Sequence, residues 1–345
     1  MLKQSDIGDG VNLVMNLKRL QHILEVARTK RILVIGDVML DRFIYGRVSR
    51  ISPEAPVPVV EVTSETNYPG GAANVARNLI PFSSHVAICG LIGSDTPGGE
   101  LNTMLEHCGM DTSCLLAREK KSTIVKTRVI ARQQQVVRVD RETLSSPDRS
   151  DIEDIVASIK NASDKQSFDG VIFEDYAKGF LTQELVNAIR KTLPESCIVT
   201  VDPNPTNKLS WKGVTAIKPN RKEAFADLNQ IDRTPDKPAL EDEHLLKVGQ
   251  DFLTKSESKT LLLTLGEQGM LLFQDGQAPY HTPTRAKEVF DVSGAGDTAI
   301  ALFTIALCSD ATGIEAAEIA NLASGIAVGK LGTATVTADD LRGLY

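Results

Sequence analysis

Short apolar segments that end in glycine or aspartate recur along the chain. They cover residues 31–37, 85–90, 170–175, 197–202 and 260–266. A continuous apolar run of this length is typical of a strand buried on both faces of a parallel sheet. Segments with helical spacing lie between these runs, at 72–80, 97–108, 150–161, 181–191, 220–228 and 243–254. The alternation predicts an α/β fold with a doubly wound, mostly parallel sheet flanked by helices.

Two other segments, 55–63 and 122–140, alternate apolar with polar residues and have no helix between their strands. Alternation indicates a strand with one buried face. We therefore expect a small, separate antiparallel sheet that covers a ligand, the main domain or a second subunit. Before the first strand, residues 12–29 have the spacing of an amphipathic helix.

Composition excludes several classes of protein. Among 345 residues, 45 are acidic and 38 basic, so the formal charge of −7 gives no general attraction to nucleic acid or anionic lipid. The five cysteines show no spacing typical of a metal site, and we expect reduced thiols in a cytoplasmic protein. No run of 18 uncharged apolar residues occurs, which argues against a membrane span or a signal peptide.

Residues 290–298 combine small residues with an aspartate just before an apolar helix. Gly294, Ala295 and Gly296 permit a tight turn whose N–H groups can bind an anion. Among such donors, Asp297 can accept a proton beside a reacting anion. A dinucleotide fingerprint fits poorly because the segment does not follow the first strand, and residues 325–331 lack Walker A spacing. A purely structural turn with an aspartate at a helix N-terminus remains an alternative.

Several motifs together resemble the ribokinase/PfkB family of sugar kinases. Asp291–Thr298 resembles its C-terminal signature and Pro69–Ala76 its N-terminal Gly-Gly signature. Asn220–Glu223 is similar to the family's Asn-x-x-Glu motif, and Thr264–Gly269 to its nucleotide loop. Residues 321–332 are similar to the helix beside the adenine. The motifs occur in family order over about residues 31–340, which makes the combination far more specific than any one of them.

This resemblance implies an ATP-dependent kinase in which Asp297 is the catalytic base. The N–H groups of Ala295, Gly296 and Asp297, with the turn at Gly294, would hold the transferred phosphoryl group. The implied nucleotide-binding residues are Asn220, Arg221, Lys222, Glu223, Thr264, Gly266, Gly269 and Asn321. Asn220 and Glu223 would organise Mg²⁺ indirectly, although their spacing also fits an ordinary capping box. The resemblance also allows a monovalent cation, K⁺, between Asp291 and residues 332–335.

For the sugar, the resemblance implies Gly70, Gly71 and Asn74 at a helix start, with Asp37 and Asp41 accepting hydrogen bonds from hydroxyls. An ordinary tight turn remains the alternative for the glycine pair. Residues 36–43 and 48–60 resemble the family's kinases for D-glycero-β-D-manno-heptose 7-phosphate, which form the 1,7-bisphosphate for ADP-heptose and the lipopolysaccharide core. A phosphorylated substrate needs arginine or lysine side chains that bind its phosphate group. Candidates, each of which can also be an ordinary solvated surface residue, are Arg47, Arg50, Arg132, Arg138 and Lys178.

Two alternatives stay open: another sugar or sugar-phosphate kinase of the same fold, and a non-catalytic regulator that binds sugar or nucleotide. We expect a helical extension at 1–30 and one kinase domain at 31–345, with lid segments near 42–63 and 122–140. The chain stops at Tyr345 without a nucleotidyltransferase, so we expect a stand-alone kinase or part of a fusion. We also expect a homodimer through the lid, with an apolar face that includes Val57, Val59, Val125 and Val137.

Overall fold

A computed structural model describes residues 15–132, 134–234, 236–286, 289, 292–330 and 335–344. The strands are β1 (Arg31–Gly36), β2 (Val38–Ile51), β3 (Pro58–Gly71), β4 (His85–Gly93), β5 (Asp111–Arg118), β6 (Ile124–Ala131), β7 (Gln134–Arg141), β8 (Gly170–Glu174), β9 (Ile198–Asp202), β10 (Ala216–Ile217), β11 (Thr260–Thr264), β12 (Met270–Gln274) and β13 (Tyr280–Thr282). The helices are α1 (Leu17–Ala27), α2 (Ala72–Leu79), α3 (Thr96–His107), α4 (Arg149–Lys165), α5 (Gln183–Arg190), α6 (Arg221–Asp227), α7 (Glu243–Ser256), α8 (Ala295–Cys308), α9 (Gly313–Val328) and α10 (Ala338–Arg342).

Within the described residues, nine strands form a central sheet in the order β13-β12-β11-β10-β9-β8-β1-β4-β5. The seven strands β11, β10, β9, β8, β1, β4 and β5 run parallel to one another. At the other end of the sheet, β12 is antiparallel to β11 and β13 is antiparallel to β12. The predicted doubly wound, mostly parallel sheet is thus confirmed. Because parallel strands end at the same edge of a sheet, the residues that follow β1, β8, β9 and β11 lie close together there.

The first strand shows why the apolar runs are continuous. Ile32 and Val34 pack into the hydrophobic cluster beneath α2, α8 and α9, whereas Leu33 and Ile35 pack into the cluster on the other face, beneath α4, α5 and α7. Each of these four residues is fully buried. A strand between two helical layers needs apolar residues at every position, since both of its faces are covered.

The N-terminal helix α1 belongs to the first of these clusters. Its buried residues Leu20, Ile23, Leu24 and Ala27 recur at helical spacing, and they pack with residues of α8. Asn16 caps the helix by accepting a hydrogen bond from the Arg19 N–H at 2.9 Å. Residues 1–14 of the expected N-terminal extension lie outside the described residues.

A second, four-stranded sheet has the order β3-β2-β6-β7. The expectation of a separate sheet is correct, but the sheet is mixed rather than antiparallel because β2 and β6 run parallel. The strand β2 follows β1 after the single residue Asp37, so the second sheet rises directly from the carboxyl edge of the central sheet. We call this second sheet the lid.

Candidate active site

The N-terminus of α8 lies at the carboxyl edge of the central sheet. Gly294 precedes the helix with φ of 80°, a left-handed conformation that favours glycine. Glycine has no side chain, so Gly294 cannot itself cap the first N–H groups of the helix. The Ala295 N–H donates to the Val292 carbonyl at 3.3 Å, which leaves the N–H groups of Gly296 and Asp297 as the better placed anion donors. The turn therefore has the features of an anion site.

Two cavities meet at this turn. Ser293, Gly294 and Asp297 line one cavity of about 430 Å³, which we call the Asp297 cavity. Ala295 and Gly296 line the other, of about 480 Å³, which we call the Gly266 cavity. Neighbouring residues of one helical turn thus separate two spaces, each large enough for part of a small ligand.

Asp297 is held by two side-chain donors. The Asn74 amide donates to Oδ2 at 2.6 Å, and the Tyr176 hydroxyl donates to Oδ1 at 2.8 Å. The residue is 8% exposed, and burial raises the pKa of its carboxyl group. The two hydrogen bonds and the nearby ammonium of Lys218 oppose that rise in pKa because they favour the charged form.

Further charges lie below Asp297 at the strand ends. Lys218 is buried and its Nζ is 2.7 Å from the Asp202 carboxylate. Burial also raises the pKa of Asp202. Glu174 is 3% exposed, its Oε2 has no hydrogen-bond partner among the described residues, and burial raises its pKa well above the ordinary value. These groups surround the α8 turn with more carboxylates than ammonium groups.

The lid covers the Asp297 cavity with alternate residues of its strands. Asp41 and Phe43 of β2 line the cavity together with Lys126 and Arg128 of β6 and Arg138 of β7. Asp41 accepts a hydrogen bond from Arg128. Arg138 pairs with Asp140 at 2.9 Å. Of the residues expected to bind a sugar, Asp41, Gly71, Asn74 and Arg138 are brought together here.

The two glycines of the expected sugar site have different surroundings. Gly71 lines the Asp297 cavity and has φ of 61°, which favours glycine. A side chain on Gly70 would collide with the Asp41 carboxylate, so this glycine lets β3 approach that carboxylate closely. Both glycines therefore support the shape of the sugar site.

Asp37 does not line the Asp297 cavity, contrary to the expectation that it accepts hydrogen bonds from a sugar. It is 3% exposed and accepts hydrogen bonds from the backbone N–H groups of Tyr176, Lys178 and Phe180 at 3.2, 3.0 and 3.0 Å. The carboxylate therefore holds the loop that follows β8. Its acceptor sites are directed at the backbone rather than at a ligand.

The other candidate cations for a substrate phosphate do not all lie in one place. Arg47 and Arg132 line a separate cavity of about 450 Å³ at the outer end of the lid, which we call the Arg132 cavity. It shares Ile130 with the Asp297 cavity. Lys178 pairs instead with Glu142 at 2.8 Å, and the exposed Arg50 lines neither cavity.

The Gly266 cavity contains four residues expected to bind a nucleotide: Thr264, Gly266, Gly269 and Asn321. Gly269 has φ of 86°, and a side chain there would collide with the Thr282 carbonyl. Asn321 donates to the Pro283 carbonyl at 2.6 Å, which ties α9 to the segment after β13. The largely apolar lining suits a flat heterocycle.

The Asn-x-x-Glu motif forms the capping box that its spacing also allowed. The Asn220 side chain accepts from the Glu223 N–H at 2.9 Å, and Glu223 Oε2 accepts from the Asn220 N–H at 2.7 Å. Asn220 lies beside Thr264 through a parallel bridge, close to the Gly266 cavity. The motif therefore caps α6 at the edge of that cavity.

Arg221 and Lys222 are not placed to bind a nucleotide in the Gly266 cavity. Arg221 forms ion pairs at 2.6 Å with Asp232 and with the buried Asp242. Lys222 is exposed and lines none of the cavities described above. Asp291, together with residues 332–334 of the proposed K⁺ loop, lies outside the described residues.

Sequence reasoning assigned no role to Tyr176, Arg128, Lys126 or Lys218. Arg128 and Lys126 alternate with Val125 and Val129, so the period-two pattern of β6 already places them on one face. No comparable local signal exists for Tyr176 or Lys218, because each is brought to the α8 turn by the ends of distant strands.

A model of the pfkB family of carbohydrate kinases matches residues 29–340. The chain is 40% identical over 329 residues to the bifunctional protein HldE of Citrifermentans bemidjiense, covering 95% of this chain and 66% of the relative. It is 42% identical over 314 residues to that of Caulobacter sp., covering 91% of this chain and 62% of the relative. The chain thus spans about two thirds of the length of these relatives.

Solved structures with the same fold include ribokinase from Thermotoga maritima, with a TM-score of 0.69, 18% identity and coverage of 91% of this chain and 98% of that one. Phosphofructokinase-2 from Escherichia coli in complex with potassium gives a TM-score of 0.70, 18% identity and coverage of 92% and 98%. These likenesses establish a ribokinase-like fold. With the family match over most of its length, the chain belongs to the pfkB family of carbohydrate kinases and is a carbohydrate kinase.

Proposed function

We propose that this kinase transfers the γ-phosphoryl group of ATP to the anomeric hydroxyl of D-glycero-β-D-manno-heptose 7-phosphate. The product would be the 1,7-bisphosphate used for ADP-heptose and the lipopolysaccharide core. The observation that carries the proposal is the first turn of α8, which lines both cavities with adjacent residues. A nucleotide in the Gly266 cavity and a sugar in the Asp297 cavity would meet at this turn.

In the proposed step, Asp297 takes the proton of the anomeric hydroxyl as its oxygen attacks the γ-phosphorus. A new P–O bond forms to the sugar, the bond from the γ-phosphorus to the bridging oxygen breaks, and ADP leaves with that electron pair. The N–H groups of Gly296 and Asp297 would stabilise the charge on the transferred group, as expected for a transfer governed by positioning and electrostatics.

The charges around α8 suit a nucleotide bound with Mg²⁺. No group of three or more metal-binding side chains occurs in the described part of the chain, but Mg²⁺ commonly uses one or two carboxylates together with nucleotide phosphates. Burial raises the pKa of Asp202, and the carboxylate of Glu223 adds to that rise. Glu223, with Asn220, would hold the ion through its water ligands, and the ion would neutralise phosphate charge.

The substrate class is supported by the resemblance of residues 36–43 and 48–60 to heptose 7-phosphate kinases and by the lid cations. The Asp297 cavity and the Arg132 cavity meet at Ile130, so a sugar phosphate could place its reacting hydroxyl at Asp297 and its phosphate toward Arg47 and Arg132. Another sugar phosphate of similar length remains the second candidate, since the α8 turn does not distinguish sugars.

We further propose that the chain forms a homodimer through the lid and that residues 31–345 constitute one kinase domain. The support for the dimer is an exposed apolar lid surface that includes Val62, Val137 and Val139. Membrane attachment is not part of the proposal, and no helix in the described ranges is long and apolar enough to cross a bilayer.

The test is coupled ADP release measured across a panel of free sugars and sugar phosphates, with heptose 7-phosphate, its unphosphorylated heptose, fructose 6-phosphate and ribose. The proposal expects the highest kcat/KM for heptose 7-phosphate. A higher value for another sugar phosphate would retain the kinase mechanism but reject the substrate. A higher value for a free sugar would reject the phosphate subsite as well.

A further inference from the structure

We propose that Tyr176 is a positioning residue that fixes the carboxylate of Asp297 and favours its ionised form, an inference that rests on the proposed role of Asp297 as the base. Its hydroxyl donates to Asp297 Oδ1 at 2.8 Å. Asn74 donates to the other oxygen, Oδ2, at 2.6 Å. With one donor on each oxygen, rotation of the carboxylate would break both bonds.

The two bonds leave room for a substrate. Each carboxylate oxygen can accept two hydrogen bonds, so, counting donors from the described residues, one further acceptor site remains on Oδ1 and on Oδ2. Asp297, Asn74 and Tyr176 all line the Asp297 cavity, where the attacking hydroxyl would enter. Tyr176 therefore constrains the base without having to be displaced by the substrate.

The phenol contributes to the charge state of Asp297 as well as to its orientation. A neutral tyrosine can only donate in this contact, and a donor stabilises a carboxylate more than a carboxylic acid. This effect opposes burial, which raises the pKa of Asp297. A base that remained protonated could not accept the hydroxyl proton, so the hydrogen bond from Tyr176 extends the active form to lower pH.

The loop that carries Tyr176 is itself fixed. Asp37 accepts three backbone N–H groups from this loop, including that of Tyr176. Within it, Ala177 has φ of 53°, and its N–H donates to Asp175 at 2.8 Å. Three successive residues are thus bound to buried carboxylates, which directs the Tyr176 ring toward α8.

Other charged groups also act on Asp297. In addition to burial, charge repulsion from Asp297 raises the pKa of Glu174, which ends β8, and of Asp202, which ends β9, and Asp41 of the lid raises the pKa of Asp297. Lys218, which follows β10, lowers the pKa of Asp297. Asp41, Glu174 and Asp202 therefore oppose Lys218 around Asp297, whereas the lid cations Lys126, Arg128 and Arg138, which line the same cavity, are each paired with a carboxylate of the lid. Removing the Tyr176 donor removes one of the contacts that favour ionisation of Asp297.

The experiment compares the pH dependence of kcat/KM in the full chain and in Tyr176→Phe, which keeps the ring and removes the donor. We expect the acidic limb to move to higher pH by about one unit, the scale of a hydrogen bond to a charged acceptor. Tyr280→Phe is the matched control, because Tyr280 also donates to a carboxylate, Glu318, at 2.7 Å. That variant should leave the limb unmoved.

A second variant tests the same role if Tyr176→Phe folds poorly. Replacing Tyr176 by 3-fluorotyrosine keeps the hydroxyl and makes it a stronger donor, so the acidic limb should move to lower pH. An unmoved limb in a folded Tyr176→Phe or in the fluorinated protein overturns the role of Tyr176. Asp297→Asn separates the role of Tyr176 from that of the base. Full turnover of Asp297→Asn rejects Asp297 as the base. An inactive Asp297→Asn, combined with an unmoved acidic limb in Tyr176→Phe, rejects the role of Tyr176 alone.

Discussion

Asp41 of β2 accepts a hydrogen bond from Arg128 of β6, so the charge of this arginine is compensated within the lid. The Arg128 guanidinium also lies 5.1 Å from the centre of the Phe43 ring. Arg47 and Arg132 differ from it, because no ion pair is found for either among the described residues. The Arg132 cavity is therefore a better candidate site for a substrate phosphate than the Asp297 cavity.

Arg132→Asn should weaken the use of a phosphorylated sugar. Asparagine tolerates the left-handed conformation of Arg132, whose φ is 60°, so the change removes charge with little backbone strain. We expect kcat/KM for heptose 7-phosphate to fall by roughly 10-fold or more, the scale of one charge-assisted hydrogen bond. The unphosphorylated heptose should be unaffected, and the difference between the two sugars should narrow as salt is added.

Arg149→Gln is the control for net charge, because Arg149 is 89% exposed and pairs with Glu153 on α4. It should leave both sugars unchanged. Equal losses for the phosphorylated and unphosphorylated sugar in Arg132→Asn would contradict a phosphate subsite in the Arg132 cavity.

Asp297→Asn should separate chemistry from nucleotide binding. The amide keeps the size of the side chain but cannot accept the hydroxyl proton, so turnover should fall by about 10² to 10⁴. Binding of ADP, measured by titration calorimetry, should persist because the Gly266 cavity is lined by other residues. A variant with normal turnover would show that the proton leaves by another route.

The central sheet was predictable because burial on both faces imposes a pattern that survives in the sequence. The lid was only partly predictable. The strand β2 carries Asp41 and Arg47 among its apolar residues, because these two residues line polar cavities. Parallel and antiparallel strands alternate in the same way, so the pattern could not reveal that β2 and β6 run parallel.

The candidate site shows a similar division. The α8 turn could be recognised locally, since the small residues, Asp297 and the following helix are adjacent in the chain. Asp37 and Asp41 could not be distinguished, because both are carboxylates near the end of β1. Only the loop at 176–180, far away in sequence, determines that Asp37 binds three backbone donors while Asp41 faces a cavity.

Arg221→Met should destabilise the fold without weakening nucleotide binding. The change leaves the carboxylate of Asp242, with a side chain 1% exposed, without its guanidinium partner. Breaking a buried ion pair by removing one partner costs about 3 to 5 kcal/mol, which urea unfolding would detect. The KM for ATP should stay within about twofold below the unfolding transition. A large rise in KM with unchanged stability would instead return Arg221 to the nucleotide site.

The lid should mediate dimerisation through the face that points away from the Asp297 cavity. Val137 lies opposite Val129 on β6, which lies opposite Ile44 on β2, so these side chains share one face. The next pair along, Arg128 and Arg138, lies on the other face and lines the cavity. Of the residues expected at the interface, Val57 and Val137 are exposed, but Val125 is buried within the chain and cannot contribute.

Val137→Glu should therefore yield monomers, because a charge would have to be buried in a self-complementary apolar interface. Light scattering at micromolar concentration would measure the mass, with Ile231→Glu as the control. Ile231 is 72% exposed and lies outside the lid, so its variant should keep the wild-type mass. The monomer should bind ADP normally but bind the sugar poorly, since β7 would lose the support that holds Arg138 over the cavity. A wild-type chain that is monomeric and fully active would contradict this prediction and make the lid a cover formed within one chain.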